Sequence, residues 1–350
     1  MLAASARKAG FLPLVIDRFA DQDTRQMSGA CYAVKRLEAS EIRPRIEFLR
    51  ARYGRFDAVY GSGLEVYPDS LQHLQAHLTV WGNSFETFLR LLDKPDFFDV
   101  LEHLHIRYPE VCFERSPATV SGLFKPLAGE GGQGIVRASM DSGPDNGYYW
   151  QRLIRGQAMS VLFLANGSSA HIIGINRQWT LPENYLFSGV MNWTALPDSC
   201  RQELHGWVER LTLTFSLKGL NSLDFVWDGN RIWLLEINPR PSASLSLYDR
   251  YYARGLLAEH IRACQGHLAL SPLYRKRQVS AYRIFYAPKR LRIPDAVQWP
   301  AWVMDRPDAG TVIQENEPVC SLFASAKGPE PVLRKLHIQE QILLTLLEGK

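Results

Sequence analysis

Residues 221–245, NSLDFVWDGNRIWLLEINPRPSASL, constrain this 350-residue chain more than any other stretch. Asp228-Gly229-Asn230 is a strong turn signal between two apolar runs, and it predicts a β-hairpin. Parity then decides what the hairpin displays. An odd loop, such as residues 229–231, sets Asp224 opposite Glu236 on one face with Asn238 pointing the same way. A two-residue loop puts the two acids on opposite faces. Phe225, Leu235 and Ile237 make the setting half-buried, where paired carboxylates are costly unless compensated. Hard oxygen donors of this kind suit Mg²⁺, and Arg240 follows on the same alternation as a fixed cation. For Asp224 and Glu236 taken alone, solvated acids on a surface hairpin are the plainer reading.

A second piece is Lys125-Pro-Leu-Ala-Gly-Glu-Gly-Gly-Gln-Gly-Ile135. A lysine at a strand end, followed by Gly129, Gly131, Gly132 and Gly134, makes a loop whose backbone N–H groups can fold over phosphates. The lysine precedes the glycines, so the Walker-type P-loop is excluded, and no clear helix follows to suit a dinucleotide fingerprint. Taken alone, a plain hairpin turn is the simpler reading of this loop. A third piece is the strand predicted at residues 148–154. There backbone groups at the strand–loop junction can read an adenine edge, with Leu153 and Ile154 against its face.

Composition bounds the class. Lys plus Arg is 40 against 36 Asp plus Glu, a net charge of +4, too small to make nucleic acid the default partner. No apolar run reaches the ~18–20 residues of a membrane-spanning helix. Five scattered cysteines, at 31, 112, 200, 264 and 320, fit neither a disulfide framework nor a zinc knuckle. A reduced, cytoplasmic protein is expected, with no nucleic-acid or membrane partner.

Along the chain, the first ninety residues alternate helix and strand signals: helix to Gly10, strand 12–17, helix 42–53, strand 57–60, helix 70–77 and strand 78–81. This spacing predicts an open, mostly parallel sheet. A doubly wound unit ordinarily opens with a strand, whereas this chain begins inside a helix. A first strand is therefore expected to be missing, or the start to be late. A helix over 94–110 follows, and from residue 117 strands dominate: 121–126, 134–139, 148–154, 159–165 and 170–178, with a polar turn at 141–147. Residues 201–217 and 247–263 are predicted helical, 280–326 a small β-rich closing unit, and 332–347 an amphipathic helix. That last helix is open to a homodimer contact or to capping the fold.

Taken in order, a lysine at a helix start (Lys94), the Lys125 glycine loop, the Gln151–Ile154 segment and the acid–acid–Asn hairpin resemble the ATP-grasp superfamily. The likeness is closest to its carboligases related to biotin carboxylase, and it covers residues 55–250. Residues near 280–326, with Pro307, Gly310, Pro318 and Cys320, resemble that family's closing domain. The resemblance implies an α/β (α+β) fold: a Rossmann-like pre-ATP-grasp domain over 1–92, an ATP-grasp domain over 93–275 with a lid at about 117–160, and a closing unit over 276–350. It implies that Lys94 and Lys125 bind ATP phosphates, that the loop carrying Gly129, Gly131, Gly132 and Gly134 is a mobile lid, and that Gln151 through Ile154 hold adenine. Asp224, Glu236 and Asn238 would coordinate Mg²⁺ or Mn²⁺, with Arg240 beside the transferring phosphoryl group. Two positions depart from the family pattern: Asp224 stands where Glu is commoner, and Gln151 where a carboxylate is frequent.

A site of this kind activates a carboxylate by phosphorylation for capture by an amine. The expected activity is an ADP-forming carboxylate–amine ligase. Similarity to tyramine–glutamate ligases implies glutamate and an amino-acid-like amine, in the making of a methanofuran-type one-carbon carrier. Ser242 and Ser244 are candidate substrate contacts, as are Gly61 and Ser62 at a strand end of the first sheet. A non-catalytic nucleotide-binding scaffold and a phosphotransferase of the same fold are the rival readings. The histidines show no metal spacing, and the basic runs 275–277 and 289–292 read chiefly as solvated faces.

Overall fold

Apolar runs of two periods, short and alternating or long and helical, sort this chain into the layers of a mixed α/β fold, seen in a computed structural model that describes residues 1–114, 121–138, 147–269, 272–273 and 278–348. The predicted boundary at 117, most of the polar turn at 141–147 and the basic run 275–277 lie outside the described residues.

The N-terminal unit runs α1 (Leu2–Lys8), β1 (Leu14–Asp17), α2 (Gln22–Met27), β2 (Ala30–Ala33), α3 (Ala39–Tyr53), β3 (Ala58–Val59), α4 (Pro68–His77) and β4 (Val80–Trp81). β1 pairs with β2 and β3 with β4, both parallel as expected, but as two separate two-stranded sheets, and α2 and β2 are not among the expected elements. Two helices follow, α5 (Phe85–Leu92) and α6 (Lys94–His103). The sequence pattern overlooked α5, although Ser84 caps it by accepting from the Thr87 N–H. It also carried α6 too far, for the helix stops by Leu104 and His105 turns left-handed at φ 52°.

Next comes a four-stranded antiparallel sheet in the order β5-β8-β6-β7, built from β5 (Val111–Cys112), β6 (Gly122–Pro126), β7 (Val136–Arg137) and β8 (Tyr148–Arg152). The main sheet has eight strands: β9 (Gln157–Asn166), β10 (Ala170–Thr180), β11 (Phe187–Met191), then, after α7 (Asp198–Phe215), β12 (Lys218–Trp227) and β13 (Ile232–Asn238), and three from the closing segment. α8 (Leu245–Tyr248) and α9 (Gly255–Cys264) replace the single helix expected over 247–263. The break is at Gly255, φ +74°, where a Cβ would lie 2.8 Å from Ser5 Oγ and 2.9 Å from Asp249 Oδ1.

The closing segment comprises β14 (Val279–Tyr286), β15 (Leu291–Arg292), β16 (Val303–Met304), β17 (Val312–Ile313), β18 (Pro318–Ala326) and α10 (Pro329–Leu347). Its long strands do not make a sheet of their own. β14 pairs with β11, so the closing strands extend the eight-stranded sheet in the order β13-β12-β9-β10-β11-β14-β18-β16. Among the described residues no helix is long and apolar enough to cross a membrane.

The core explains where a ligand can go. One face of the main sheet buries Val161, Phe163, Leu223 and Phe225 against Trp207 and Leu211 of α7 and the phenylalanines of α6. On the opposite face, Leu162, Leu164 and Leu220 pack under Tyr248 and Leu256. That second cover stops partway along the strands. Beyond it Ser160, Ser222 and Asp224 face a cleft of ≈ 2240 Å³.

The N-terminal unit and the closing segment meet through acids. Asp23 accepts the backbone N–H groups of Asp305 (3.0 Å) and Arg306 (2.8 Å). Burial, then the charges of Asp23 and Asp305, push the Asp21 carboxyl up to about 6 from 3.8. A carboxyl raised on folding favours the fold below its unfolded value; that advantage is lost as pH climbs through about 6, above which ionised Asp21 is a net cost. Asp21→Asn keeps the cap on α2, which Asp21 makes by accepting from the Thr24 N–H at 2.7 Å. The variant is expected to gain about 1 kcal/mol at pH 8, after discounting for solvent screening, and nothing near pH 4. Urea denaturation at the two pH values measures the difference.

Candidate active site

The acid–acid–Asn hairpin forms, by a route the parity argument did not contain. The turn is even: Trp227 pairs with Ile232 and closes a four-residue loop. Left alone, that register would set Asp224 opposite Leu235. The register shifts between Asp224 and Phe225, so Phe225 pairs with Leu234 while Asp224 pairs with Glu236. Leu235 is the extra residue of a β-bulge, and it lines the cleft together with Glu236. The bulge, not the loop, brings Asp224, Glu236 and Asn238 to one side.

Local hydrogen bonds hold this group. Gln178 Nε2 donates to Asp224 Oδ1 at 3.1 Å and Asn238 Nδ2 to Asp224 Oδ2 at 3.0 Å, while Asn238 Oδ1 accepts from Arg240 at 3.2 Å. Burial and then repulsion by Glu236 push Asp224 up to about 7. For Glu236 burial also acts upward, but Lys125, Lys94 and Arg240 outweigh it and hold the carboxyl below its usual range. Two carboxylates and an amide oxygen facing one cleft, short of full compensation, are a hard-oxygen donor set that Mg²⁺ or Mn²⁺ fits. Among the described residues no three His, Cys, Asp or Glu side chains gather as a metal cluster, so the amide of Asn238 is needed to complete this set.

Arg240 is buried, 7% exposed, and its guanidinium donates to Glu65, itself 5% exposed. Glu65 stands between β3 and α4 in the N-terminal unit and also accepts the Gly63 N–H at 2.8 Å. Sequence reasoning missed Glu65. The only cue was its place just past Gly61-Ser62-Gly63, since its partner lies 175 residues away.

Both lysines reach the cleft. Lys94 opens α6, and Asp93 caps that helix by accepting from the Asp96 N–H at 3.1 Å. Burial pulls the Lys94 ammonium down, Glu236 offsets this in part, and Lys125 adds to the fall. Lys125 sits on β6 opposite Tyr149 of β8, which puts it on the same face as Gln151. Its Nζ donates to Gln151 Oε1 at 3.3 Å. Burial works against its charge, yet Tyr149, Glu236 and Asp224 hold it above the ordinary lysine value.

The predicted adenine segment is shorter as a strand than expected. β8 ends at Arg152, and Leu153 and Ile154 follow as loop, though all four residues from Gln151 to Ile154 line the cleft. The N–H groups of Arg152 and Leu153 are spent on the carbonyls of Glu110 (2.8 Å) and Ser121 (3.0 Å). Gly129, Gly131 and Gly132 of the glycine loop also line the cleft. Gly131, Gly132 and Gly134 have φ of 62°, 83° and 75°, the left-handed region that glycine alone occupies freely. The loop is tied to the N-terminal unit by a 2.9 Å ion pair between Glu130 and Arg18. A Cβ on Gly132 would fall 2.3 Å from the carbonyl oxygen of Tyr185. Gly132→Ala is therefore expected to raise the KM for nucleotide tenfold or more, by roughly 1–3 kcal/mol of loop strain, while Tm barely moves.

Ser242 and Ser244 line the cleft just past Arg240, their hydroxyls 2.8 Å apart. Gly61 and Ser62 line it from the end of β3. All the candidate site residues except Gly134 thus border one cleft.

The architecture is the ATP-grasp fold, a mixed α/β arrangement around a large antiparallel sheet. Residues 91–244 match the family described as ATP-grasp domain. A curated relative, the uncharacterized protein MJ0776 of Methanocaldococcus jannaschii, is 22% identical over 289 residues, which is 79% of this chain and 67% of that protein. The biotin carboxylase domain of Hydrogenobacter thermophilus 2-oxoglutarate carboxylase, a dimer solved with MgADP, ADP and bicarbonate, has a TM-score of 0.75 at 12% identity, over 96% of this chain and 85% of that one. N5-carboxyaminoimidazole ribonucleotide synthetase from Thermus thermophilus has a TM-score of 0.73 at 14% identity, covering 96% and 93%.

Proposed function

We propose that this protein is an ATP-dependent ligase that phosphorylates a carboxylate and passes the acyl group to an amine. The observation that carries the reading is the convergence of Asp224, Glu236 and Asn238 on one side of a bulged hairpin, with Arg240 bonded to Asn238 and Lys94 and Lys125 lining the same cleft. In this reading Asp224, Glu236 and Asn238 hold Mg²⁺ or Mn²⁺, which supplies charge neutralisation on the triphosphate. Lys94 and Lys125 bind phosphate oxygens, Gln151 through Ile154 border the base, and the loop with Gly129, Gly131, Gly132 and Gly134 covers the phosphates. Arg240 positions the acid and stabilises charge on the transferring phosphoryl group. Attack by the acid's oxygen on the γ-phosphorus releases ADP and leaves an acyl phosphate. An amine then displaces phosphate to give an amide. Shielding that intermediate from water is the use of a cover tied down by Glu130.

The finer reading is that the acid is glutamate-like and the amine amino-acid-like, in the building of a one-carbon carrier of methanofuran type. Ser242 and Ser244 beside Arg240 offer hydroxyls to such polar groups, as do Gly61 and Ser62 at the end of β3. An association of two copies through α10 would accord with the dimeric state of the Hydrogenobacter domain. ADP release measured across pairs of acids and amines tests the reaction. Release that needs both partners and yields an amide supports it. Release that needs only an acceptor hydroxyl moves the assignment to a phosphotransferase, and nucleotide binding without turnover on any pair moves it to a scaffold. Release driven by bicarbonate in place of an organic acid would identify a carboxylation instead.

A further inference from the structure

The N-terminal unit grips the chain between two residues of the cleft. Asn83, in the turn from β4 to α5, is buried and commits its whole side chain to the main sheet. Its Nδ2 donates to the Pro239 carbonyl at 2.9 Å and to Asn221 Oδ1 at 2.8 Å, and its Oδ1 accepts the Lys218 N–H at 2.8 Å. Lys218 and Asn221 lie on β12 and Pro239 follows β13, so one amide ties together the strands that carry Asp224, Glu236 and Asn238. Tyr60, just past β3 and also buried, supplies a second donor: its Oη reaches the same Pro239 carbonyl at 3.0 Å. That hydroxyl also lies 3.3 Å from the Asn83 carbonyl oxygen, but it has one proton, and the shorter contact is better served. Gly82 permits this close approach, since a Cβ there would lie 2.7 Å from the Tyr60 ring.

What the grip controls follows from the planarity of the peptide unit, in which carbonyl and N–H turn together. The Pro239 carbonyl shares its unit with the Arg240 N–H, which donates to the Asn238 carbonyl at 2.8 Å. Two donors at one end and one acceptor at the other hold this plane. A single donor would suffice to satisfy a buried carbonyl; filling both lone pairs also fixes its direction. Proline at 239 removes further freedom by locking φ. On either side of it stand Asn238, which donates to Asp224, and Arg240, which donates to Glu65.

We propose that Asn83 and Tyr60 are positioning residues for the phosphoryl-transfer centre. By holding the Pro239–Arg240 peptide they fix where the Asn238 amide and the Arg240 guanidinium stand on the cleft. Neither touches a reacting atom; both act through the backbone between those two side chains. The kinetic part of this role rests on the reaction proposed above, whereas the grip on the peptide does not.

Tyr60→Phe tests this in the full chain, because it removes one hydroxyl and leaves the ring packed. Tm is expected to fall by about 3 °C or less. Hydrogen exchange at the Arg240 amide is expected to quicken about tenfold, with the amides of Val161 and Phe163 in β9 unchanged as reference. On an acid–amine pair that gives turnover, kcat is expected to fall about tenfold while KM for MgATP stays within about twofold. Asn83→Ala should take the loss in kcat to about a hundredfold; if that variant fails to fold, Tyr60→Phe still decides. Leu343→Ala on α10, a cavity variant at a residue that does not line the cleft, should lower Tm and change neither readout. Arg240 exchange at the wild-type rate in Tyr60→Phe overturns the proposal, and so does a loss of kcat that Leu343→Ala matches. A wild-type protein with no turnover on any pair counts against the reaction instead, and exchange at Arg240 then decides the grip by itself.

Discussion

Glu236→Ala is expected to lose Mg²⁺-dependent nucleotide binding altogether and to lower turnover by about a thousandfold or more. Glu236 is the one carboxylate of the hairpin that three cations hold below its usual range. Asp224, pushed up to about 7, needs a cation to be ionised fully. Removing Glu236 takes away the charge on which the donor set depends, and it also leaves Lys94 and Lys125 crowded without their shared counter-ion. Isothermal titration with MgATP, alongside ATP in EDTA, reads the effect directly. Unchanged affinity for MgATP would remove Glu236 from the metal shell. A drop of equal size in both titrations would mean that the residue serves the lysines and not the metal.

Arg240→Ala should abolish turnover, again by about a thousandfold, while nucleotide affinity stays within about threefold. The substitution also strands Glu65, which is buried and would lose its partner, a change that typically costs about 3–5 kcal/mol. The double variant Arg240→Ala with Glu65→Gln separates the two effects, because it removes both charges at once. It is expected to recover most of the lost Tm and none of the lost activity. Recovery of activity with Tm would make Arg240 a structural residue only, and loss of nucleotide binding would place it among the phosphate contacts.

Much of this site was legible in the sequence because its cues are local. Asp228-Gly229-Asn230 announces a turn, alternation announces two strands, and Lys125 followed by glycines announces a loop free to lie over a ligand. What was not legible depends on distant partners. The bulge at Leu235 turns an even loop into the right register, and no run of residues marks it. It arises because Phe225 and Leu234 stay in the core while Asp224 and Glu236 face the cleft. Gly255 leaves room for Ser5 of α1 and for Asp249, contacts that a Cβ there would clash with. Glu65 acquires its meaning only when the N-terminal unit docks on the end of β13. The closing strands read as a separate unit because Pro and Gly punctuate them, whereas pairing between β11 and β14 fuses them to the main sheet. Alternation fixes which face a strand shows, and it says nothing of which neighbour the strand chooses.

In the proposed reaction, the ion pair between Arg240 and Glu65 bears on how the acid would enter. The guanidinium already has an anionic companion, so in that reaction an arriving carboxylate would exchange one negative neighbour for another. Such an exchange spares most of the dehydration penalty that a lone buried cation would impose on its surroundings. It also sets a threshold, because a neutral molecule has nothing to offer in trade for Glu65. Discrimination against uncharged competitors would then be built into the resting state, before any nucleotide is committed.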